Sequence, residues 1–131
     1  MRPLLLAALV ALTSGCDTAS QYACTLEFRT VQVMVRDAFG RPVEGLTARS
    51  IVERGQELVL IERTEGSVEG TEGRYTVASD AHLDLLSIEG EDVIFRAEGP
   101  GLIAEARYVL ADDGCHIRKE EGPAEITAVP R

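Results

Sequence analysis

TVQVMVRDAFGRP, residues 30–42, is the stretch that decides the fold. Its apolar residues recur with a period of two, which is the spacing of one face of a β-strand. These residues are Val31, Val33 and Val35. After them, Gly40 is suited to a positive φ, and Pro42 lacks the amide hydrogen that a strand ladder needs. The stretch therefore predicts a β-strand that ends in a tight turn.

Short stretches of similar pattern recur along the chain, and turns separate them. The further strand candidates are residues 46–53, 57–63, 74–78, 92–97, 102–110, 115–119 and 125–129. Residues 79–86 fit either a short helix capped by Ser79 or Asp80, or a strand. In the strand, Leu83 and Leu85 would face inward. About seven or eight short strands predict an all-β fold, a single antiparallel β-sandwich of the immunoglobulin or transthyretin kind.

Composition limits the classes of function. The chain has 131 residues, enough for one domain, and 45% of them are hydrophobic, which is enough for a packed core. Its formal charge of −9 argues against binding to a nucleic-acid backbone, which depends on clustered Lys and Arg. Aromatic residues make up only 5%, and Trp is absent, so a surface for stacking on sugars or bases is not expected.

The N-terminus has the features of an export signal. Met1-Arg2-Pro3 carries a positive charge, and an unbroken apolar run, Leu4–Leu12, follows it. As a helix this run would span about 14 Å, too short for a hydrocarbon core of about 30 Å. The pattern is therefore that of a secretory signal. The next residues, in Leu12-Thr13-Ser14-Gly15-Cys16, resemble the lipobox of bacterial lipoproteins.

The lipobox resemblance implies cleavage before Cys16 and attachment of lipid, including palmitate, to that cysteine. Residues 1–15 are then a lipoprotein signal peptide, residues 16–21 a short tether, and residues 22–131 the β-sandwich domain. The expected location is the cell envelope, anchored by lipid to the inner or the outer membrane. Ordinary signal cleavage nearby, with a soluble periplasmic or secreted product, is the alternative.

The two cysteines other than Cys16 form a candidate disulfide. Cys24 and Cys115 are an even pair in a chain that is expected in an oxidising compartment. The alternative is a reactive thiol or a metal ligand, because His116 follows Cys115 directly. No Cys-x-x-Cys is present, and two cysteines with one histidine do not have the spacing of a known metal site. The sequence therefore favours a structural disulfide.

Two motifs carry a resemblance to a known family. Val33-x-Val35-x-Asp37-x-x-Gly40-x-Pro42-Val43-x-Gly45, together with Gly73-Arg74-Tyr75-Thr76, resembles the carboxypeptidase regulatory-like domain. The match is best over residues 31–79. It implies a small transthyretin-like β-sandwich, of a kind that usually serves as a non-catalytic accessory module in secreted or surface proteins. No catalytic residue follows from the resemblance.

Few residues have side chains in patterns that suggest catalysis or metal binding. Asp80-x-His82-x-Asp84 would place three polar side chains on one strand face, which suggests a small metal or acid–base cluster, but a solvated strand alternates in the same way. A zinc site needs three or four ligands, and no spacing supplies the rest. Asp112-Asp113-Gly114 fits a turn better than a catalytic carboxylate pair. The sequence predicts no catalytic residue, no metal and no cofactor.

The expected function is that of a non-enzymatic, membrane-anchored lipoprotein of the cell envelope that acts as a binding or structural module. Its expected partners are membrane lipid, through acylated Cys16, and an envelope protein or peptide; nucleic acid is not expected. Two alternatives remain open. One is a module that recognises peptide or carbohydrate, and the other is a hydrolase or metal enzyme that uses His82 or His116.

Overall fold

The computed structural model describes residues 23–54 and 57–131, and for residues 57–65 it describes the backbone alone. Within these residues nine β-strands form two sheets. The strands are β1 Thr30–Arg36, β2 Thr47–Arg54, β3 Glu57–Glu65, β4 Arg74–Ser79, β5 Glu91–Gly99, β6 Leu102–Asp112, β7 Ile117–Glu121, β8 Glu125–Thr127 and β9 Val129–Pro130. A 3₁₀ helix, Asp80–Leu85, follows β4.

Some sequence-based expectations fall on other residues. The predicted signal peptide 1–15, the lipidated Cys16 and the tether 16–21 lie outside the described residues.

The two sheets confirm the predicted all-β sandwich. The smaller sheet has the order β4-β1-β8, and the larger has the order β3-β2-β5-β6-β7, with β9 beside β6. All neighbouring strands are antiparallel except β1 and β8, which run parallel with Met34 opposite Glu125. The parallel pair arises because the chain leaves β7 in the larger sheet and enters the smaller one beside β1. The amide of Met34 donates to Ala124 O at that crossing.

The core lies between the sheets and is built by the alternation read from the sequence. Val33 and Val35 of β1 are fully buried, and Val31 packs against the edge of the core. The other large, fully buried side chains are Val52, Tyr75, Val77, Val93, Phe95, Tyr108 and Leu110. Each such side chain contributes about 1.5–3 kcal/mol through removal of apolar surface from water.

The outer face of the larger sheet is covered by ion pairs. Glu98 lies near both Arg49 and Arg96, with an Arg49–Glu98 distance of 3.4 Å. Arg107 binds Asp92 at 3.1 Å and also contacts Glu53. Pairs on such an exposed face contribute at most about 1 kcal/mol each. Part of the charge spread along the sequence therefore forms a solvated strand face, with cations and anions interleaved.

The turn after β1 has the conformation that its residues predict. Asp37 Oδ1 accepts hydrogen bonds from the amides of Phe39 at 2.8 Å and Arg41 at 2.9 Å. Gly40 has a φ of +78°, a region that costs a residue with a Cβ about 1–2 kcal/mol. All of these contacts join residues no more than four positions apart.

The two motifs that carried the family resemblance meet in space. A Cβ on Gly73 would lie 2.7 Å from Cβ of Pro42, and Gly73 also has a positive φ of +70°. The Tyr75 hydroxyl donates to Val43 O at 2.9 Å and accepts from the amide of Leu46 at 3.2 Å. Residues some thirty positions apart in the sequence therefore form one packed corner.

Candidate functional site

The candidate site lies where the segment before β1 meets the 3₁₀ helix and the start of β7. Its covalent element is a disulfide between Cys24 and Cys115, whose Cα atoms are 5.2 Å apart. This confirms the pairing predicted from the sequence. The bond joins residues 91 positions apart, and a loop of this length predicts about 4–5 kcal/mol of stabilisation in the chain-entropy description.

The residues that follow the two cysteines form a hydrogen-bonded chain with Asp80. Thr25 Oγ1 lies 2.9 Å from His116 Nε2, and His116 Nδ1 lies 2.7 Å from Asp80 Oδ2. A carboxylate only accepts, so His116 Nδ1 donates to it, and in the neutral ring Nε2 accepts the hydroxyl hydrogen of Thr25. The side chains of His116 and Asp80 are 7% and 10% exposed. We call these three residues the Thr25–His116–Asp80 cluster.

Asp80 connects three segments of the chain. Its Oδ1 accepts from the amide of Ile117 at 2.7 Å, and its Oδ2 accepts from the amide of Arg29 at 2.8 Å. The Asp80 amide in turn donates to Arg29 O at 3.0 Å. Burial alone would raise the pKa of Asp80, but the hydrogen bonds from Ile117, Arg29 and His116 together hold it below its usual value. The carboxylate is thus the centre of a buried polar network.

Asp113 fixes the loop that carries the second cysteine. Its Oδ1 accepts from the amides of His116 at 2.7 Å and Cys115 at 3.0 Å. These backbone hydrogen bonds, that from His116 foremost, lower the pKa of Asp113. Asp112 Oδ1 accepts from the amide of Gly114 at 2.7 Å in the same way. The two carboxylates therefore serve the predicted turn rather than facing each other as a catalytic pair.

The proposed strand face Asp80-x-His82-x-Asp84 does not form, and that interpretation was wrong. The segment is the 3₁₀ helix, so alternate residues do not share a face. Asp80 turns toward His116, whereas His82 Nδ1 accepts from the amide of Ser79 at 3.2 Å. Ser79 is the N-cap of the helix, which agrees with the short helix that was one of the two predictions for residues 79–86. Within residues 23–54 and 66–131, whose side chains the structure describes, no group of three or more His, Cys, Asp or Glu side chains could hold a metal ion.

The order hydroxyl, imidazole, carboxylate is the one in which a base activates a nucleophile. Acyl transfer also needs hydrogen-bond donors aimed at the developing oxyanion. The amides of Gly114, Cys115 and His116 are already donated to Asp112 and Asp113. In the structure, the cluster joins the segment before β1 to the two sheets.

His116 and Asp80 were singled out from the sequence in separate motifs and were not paired, and Thr25 was not considered. A signal for Thr25 was available, because a Cys24–Cys115 disulfide places the residues that follow each cysteine close together. Asp80 had no such signal, since it lies 36 positions from His116. Its position follows from the packing of the 3₁₀ helix against the start of β7.

No family model, curated protein or solved structure matches the chain. In the part of the chain that the structure describes, no helix is long and apolar enough to pass through a membrane. The function of the domain is therefore inferred from its own residues.

Proposed function

We propose that the protein is a lipid-anchored lipoprotein of the bacterial cell envelope, whose β-sandwich is a non-enzymatic binding or structural module. The Cys24–Cys115 disulfide carries the proposal, because structural disulfides persist in oxidising compartments and are rare in the cytosol. The disulfide also uses two of the three cysteines, which leaves Cys16 for the lipid.

The disulfide and the Thr25–His116–Asp80 cluster fix the point at which the predicted tether joins the sandwich. Cys24 and Thr25 are both bonded to the loop before β7, so the chain is fixed to the sandwich from this point on. Cys16 is eight residues earlier, a span of at most about 28 Å. Acyl chains at about 0.8 kcal/mol per buried CH₂ would then hold the domain close to the membrane.

The packed corner supports the assignment to the carboxypeptidase regulatory-like domains. Pro42 lies against Gly73, and the Tyr75 hydroxyl binds the backbone of Val43 and Leu46. Pro42 and Val43 of the first motif and Gly73 and Tyr75 of the second thus have structural tasks in the sandwich. A module of this kind presents surfaces rather than a reaction centre, which agrees with the ion-paired outer face of the larger sheet.

The anchor is tested by feeding radiolabelled palmitate to cells that make the protein. We expect label in the wild-type chain and none in Cys16→Ala. The matched control is a variant with both Cys24→Ala and Cys115→Ala, which loses the disulfide and keeps the label. A wild-type chain without label would contradict the proposal.

A hydrolase is the second candidate function, and the geometry of the Thr25–His116–Asp80 cluster favours it. The test is the hydrolysis of an activated ester by wild-type protein, Thr25→Ala and Thr25→Ser. Activity that is lost in Thr25→Ala and retained in Thr25→Ser would support the hydrolase and contradict the non-enzymatic module. Equal rates in all three proteins would exclude a nucleophilic role of Thr25. Ser67→Ala, which removes a half-buried hydroxyl in a different loop, is the control.

A further inference from the structure

Large apolar side chains are exposed at one end of the sandwich. Leu26 is fully exposed, and Phe28 and Ile88 are 65% and 72% exposed. Single exposed apolar residues need no explanation, but several at one end form a surface that can contact an apolar phase. The segment 23–29 that carries two of them lies directly after the predicted tether.

Hydrogen bonds bring these residues to the same end. The amide of Asp112, the last residue of β6, donates to Ser87 O at 3.0 Å, which fixes the loop that carries Ile88. From Asp112 the chain continues into the disulfide loop, where Cys115 binds Cys24. We call this part of the molecule, residues 23–29, 86–90 and 112–116, the anchor end.

We propose that the anchor end rests on the membrane surface, with Leu26, Phe28 and Ile88 inserted at the boundary between headgroups and acyl chains. The proposal rests on the proposed lipid anchor at Cys16. Cys24 lies eight positions after that cysteine, so the tether would hold Cys24 within about 28 Å of the bilayer. Insertion of apolar side chains at this boundary adds to the binding that acyl chains supply.

The charges of the anchor end select the kind of lipid. The anchor end contains the acidic residues Glu27, Glu89, Asp112 and Asp113 and one arginine, Arg29, which lies 3.8 Å from Glu27 and 4.0 Å from Asp113. The whole chain has a formal charge of −9. Anionic headgroups would repel such a surface. The expected partner is therefore a lipid surface without net charge.

The opposite end supplies a matched control. Phe39, in the turn after β1, is 84% exposed, and the guanidinium of Arg41 lies 5.3 Å from the centre of its ring. Because β1 runs from Thr30 beside the anchor end to Arg36, its turn lies at the far end of the sandwich. A tether at Cys16 would hold Phe39 away from the bilayer.

The absence of Trp from the chain makes the test direct. Leu26→Trp, Phe28→Trp, Ile88→Trp and Phe39→Trp are made one at a time in the full, lipidated protein, which is reconstituted in phosphatidylcholine vesicles with brominated acyl chains. We expect Trp fluorescence at the first three positions to shift to the blue. We also expect brominated lipid to quench it at least about twofold more strongly than at position 39.

The outcomes separate this proposal from the lipid anchor. Protein that floats with the vesicles but gives equal, weak quenching at all four positions overturns the membrane contact and leaves the anchor intact. A blue shift without quenching by brominated lipid also overturns it, because protein then covers the residues. Protein that does not float with the vesicles contradicts the anchor itself. Replacing half of the phosphatidylcholine with phosphatidylglycerol should weaken the quenching, and stronger quenching would contradict the charge argument.

Discussion

The anchor end and the turn at residues 37–41, which we call the turn end, are held together by different kinds of contact. At the turn end, Asp37 binds the amides of Phe39 and Arg41, two and four positions away. At the anchor end, a disulfide spans 91 positions, and Asp80 binds His116 and Ile117 across 36 and 37 positions. Each end uses an aspartate with a lowered pKa, yet only one of them joins distant segments.

The difference has a consequence for stability. A local turn forms again as soon as its own residues meet, so losing one of its contacts costs little chain entropy. Contacts across tens of residues restrict the unfolded chain and connect separate elements. We therefore expect the anchor end to control the stability of the sandwich, and the turn end to affect it only slightly.

Removal of the disulfide should have the largest effect. In the variant with both Cys24→Ala and Cys115→Ala, the free energy of unfolding should fall by about 4 kcal/mol, because the unfolded chain gains the entropy of an open loop. Urea denaturation followed by circular dichroism measures this loss. A midpoint equal to that of the oxidised wild-type protein would contradict the importance of the anchor end.

Asp80→Ala should have the next largest effect. It leaves His116, the buried amide of Ile117 and the amide of Arg29 without their acceptor, at an expected cost of about 2–3 kcal/mol. Asp37→Ala is the matched variant at the turn end, where water can reach the freed amides, and its loss should be smaller. The same urea titration compares the two. A larger loss in Asp37→Ala would reverse the comparison.

The pH dependence of stability should sharpen the same contrast. The pKa of Asp80 is lower in the folded chain than in the unfolded one, so the unfolded chain takes up the proton first as the pH falls. The contribution of Asp80 is thus complete above pH about 4 and is lost as the pH falls through the lower folded value. The slope of unfolding free energy against pH in this range should be shallower in Asp80→Asn. An unchanged slope would show that Asp80 does not contribute to it.

Gly40→Ala should have the smallest effect. Nothing lies within 4 Å of the position that its Cβ would take, so the cost comes from the φ of +78° alone. That cost is about 1–2 kcal/mol. Thermal unfolding measures it, and a loss as large as that of the disulfide variant would show that the turn end is not a local structure.

The structural features that depend on residues close together in the chain were predicted from the sequence. The period of two in β1 and the turn at Asp37–Pro42 were both correct, because strand alternation and turn chemistry are local properties. The assignment of residues 125–129 to one strand was wrong, because the chain changes sheets at Ala128. There, the amide of Ala128 donates to Arg36 O, and β8 and β9 lie in different sheets. The parallel pairing of β1 with β8 depends on the preceding crossing, from β7 to β8 at Ala124, which also left no local signal.

The candidate site likewise has one part that could be predicted from the sequence, the disulfide, and one that could not, the Thr25–His116–Asp80 cluster. Counting cysteines was sufficient to predict Cys24–Cys115, since few pairings were available. The Thr25–His116–Asp80 cluster depends on the packing of the 3₁₀ helix against the start of β7, and alternation within residues 80–84 suggested a different arrangement. Distant polar contacts of this type become visible only when the sheets are assembled.

Mass spectrometry of the protein extracted from membranes and digested without reduction tests the central claim most directly. If the protein is lipid-anchored and a disulfide fixes the start of its sandwich domain, the digest will contain an N-terminal peptide that begins at acylated Cys16. It will also contain a cross-linked peptide pair with Cys24 and Cys115. A chain that begins at Met1 and carries three free thiols would contradict it.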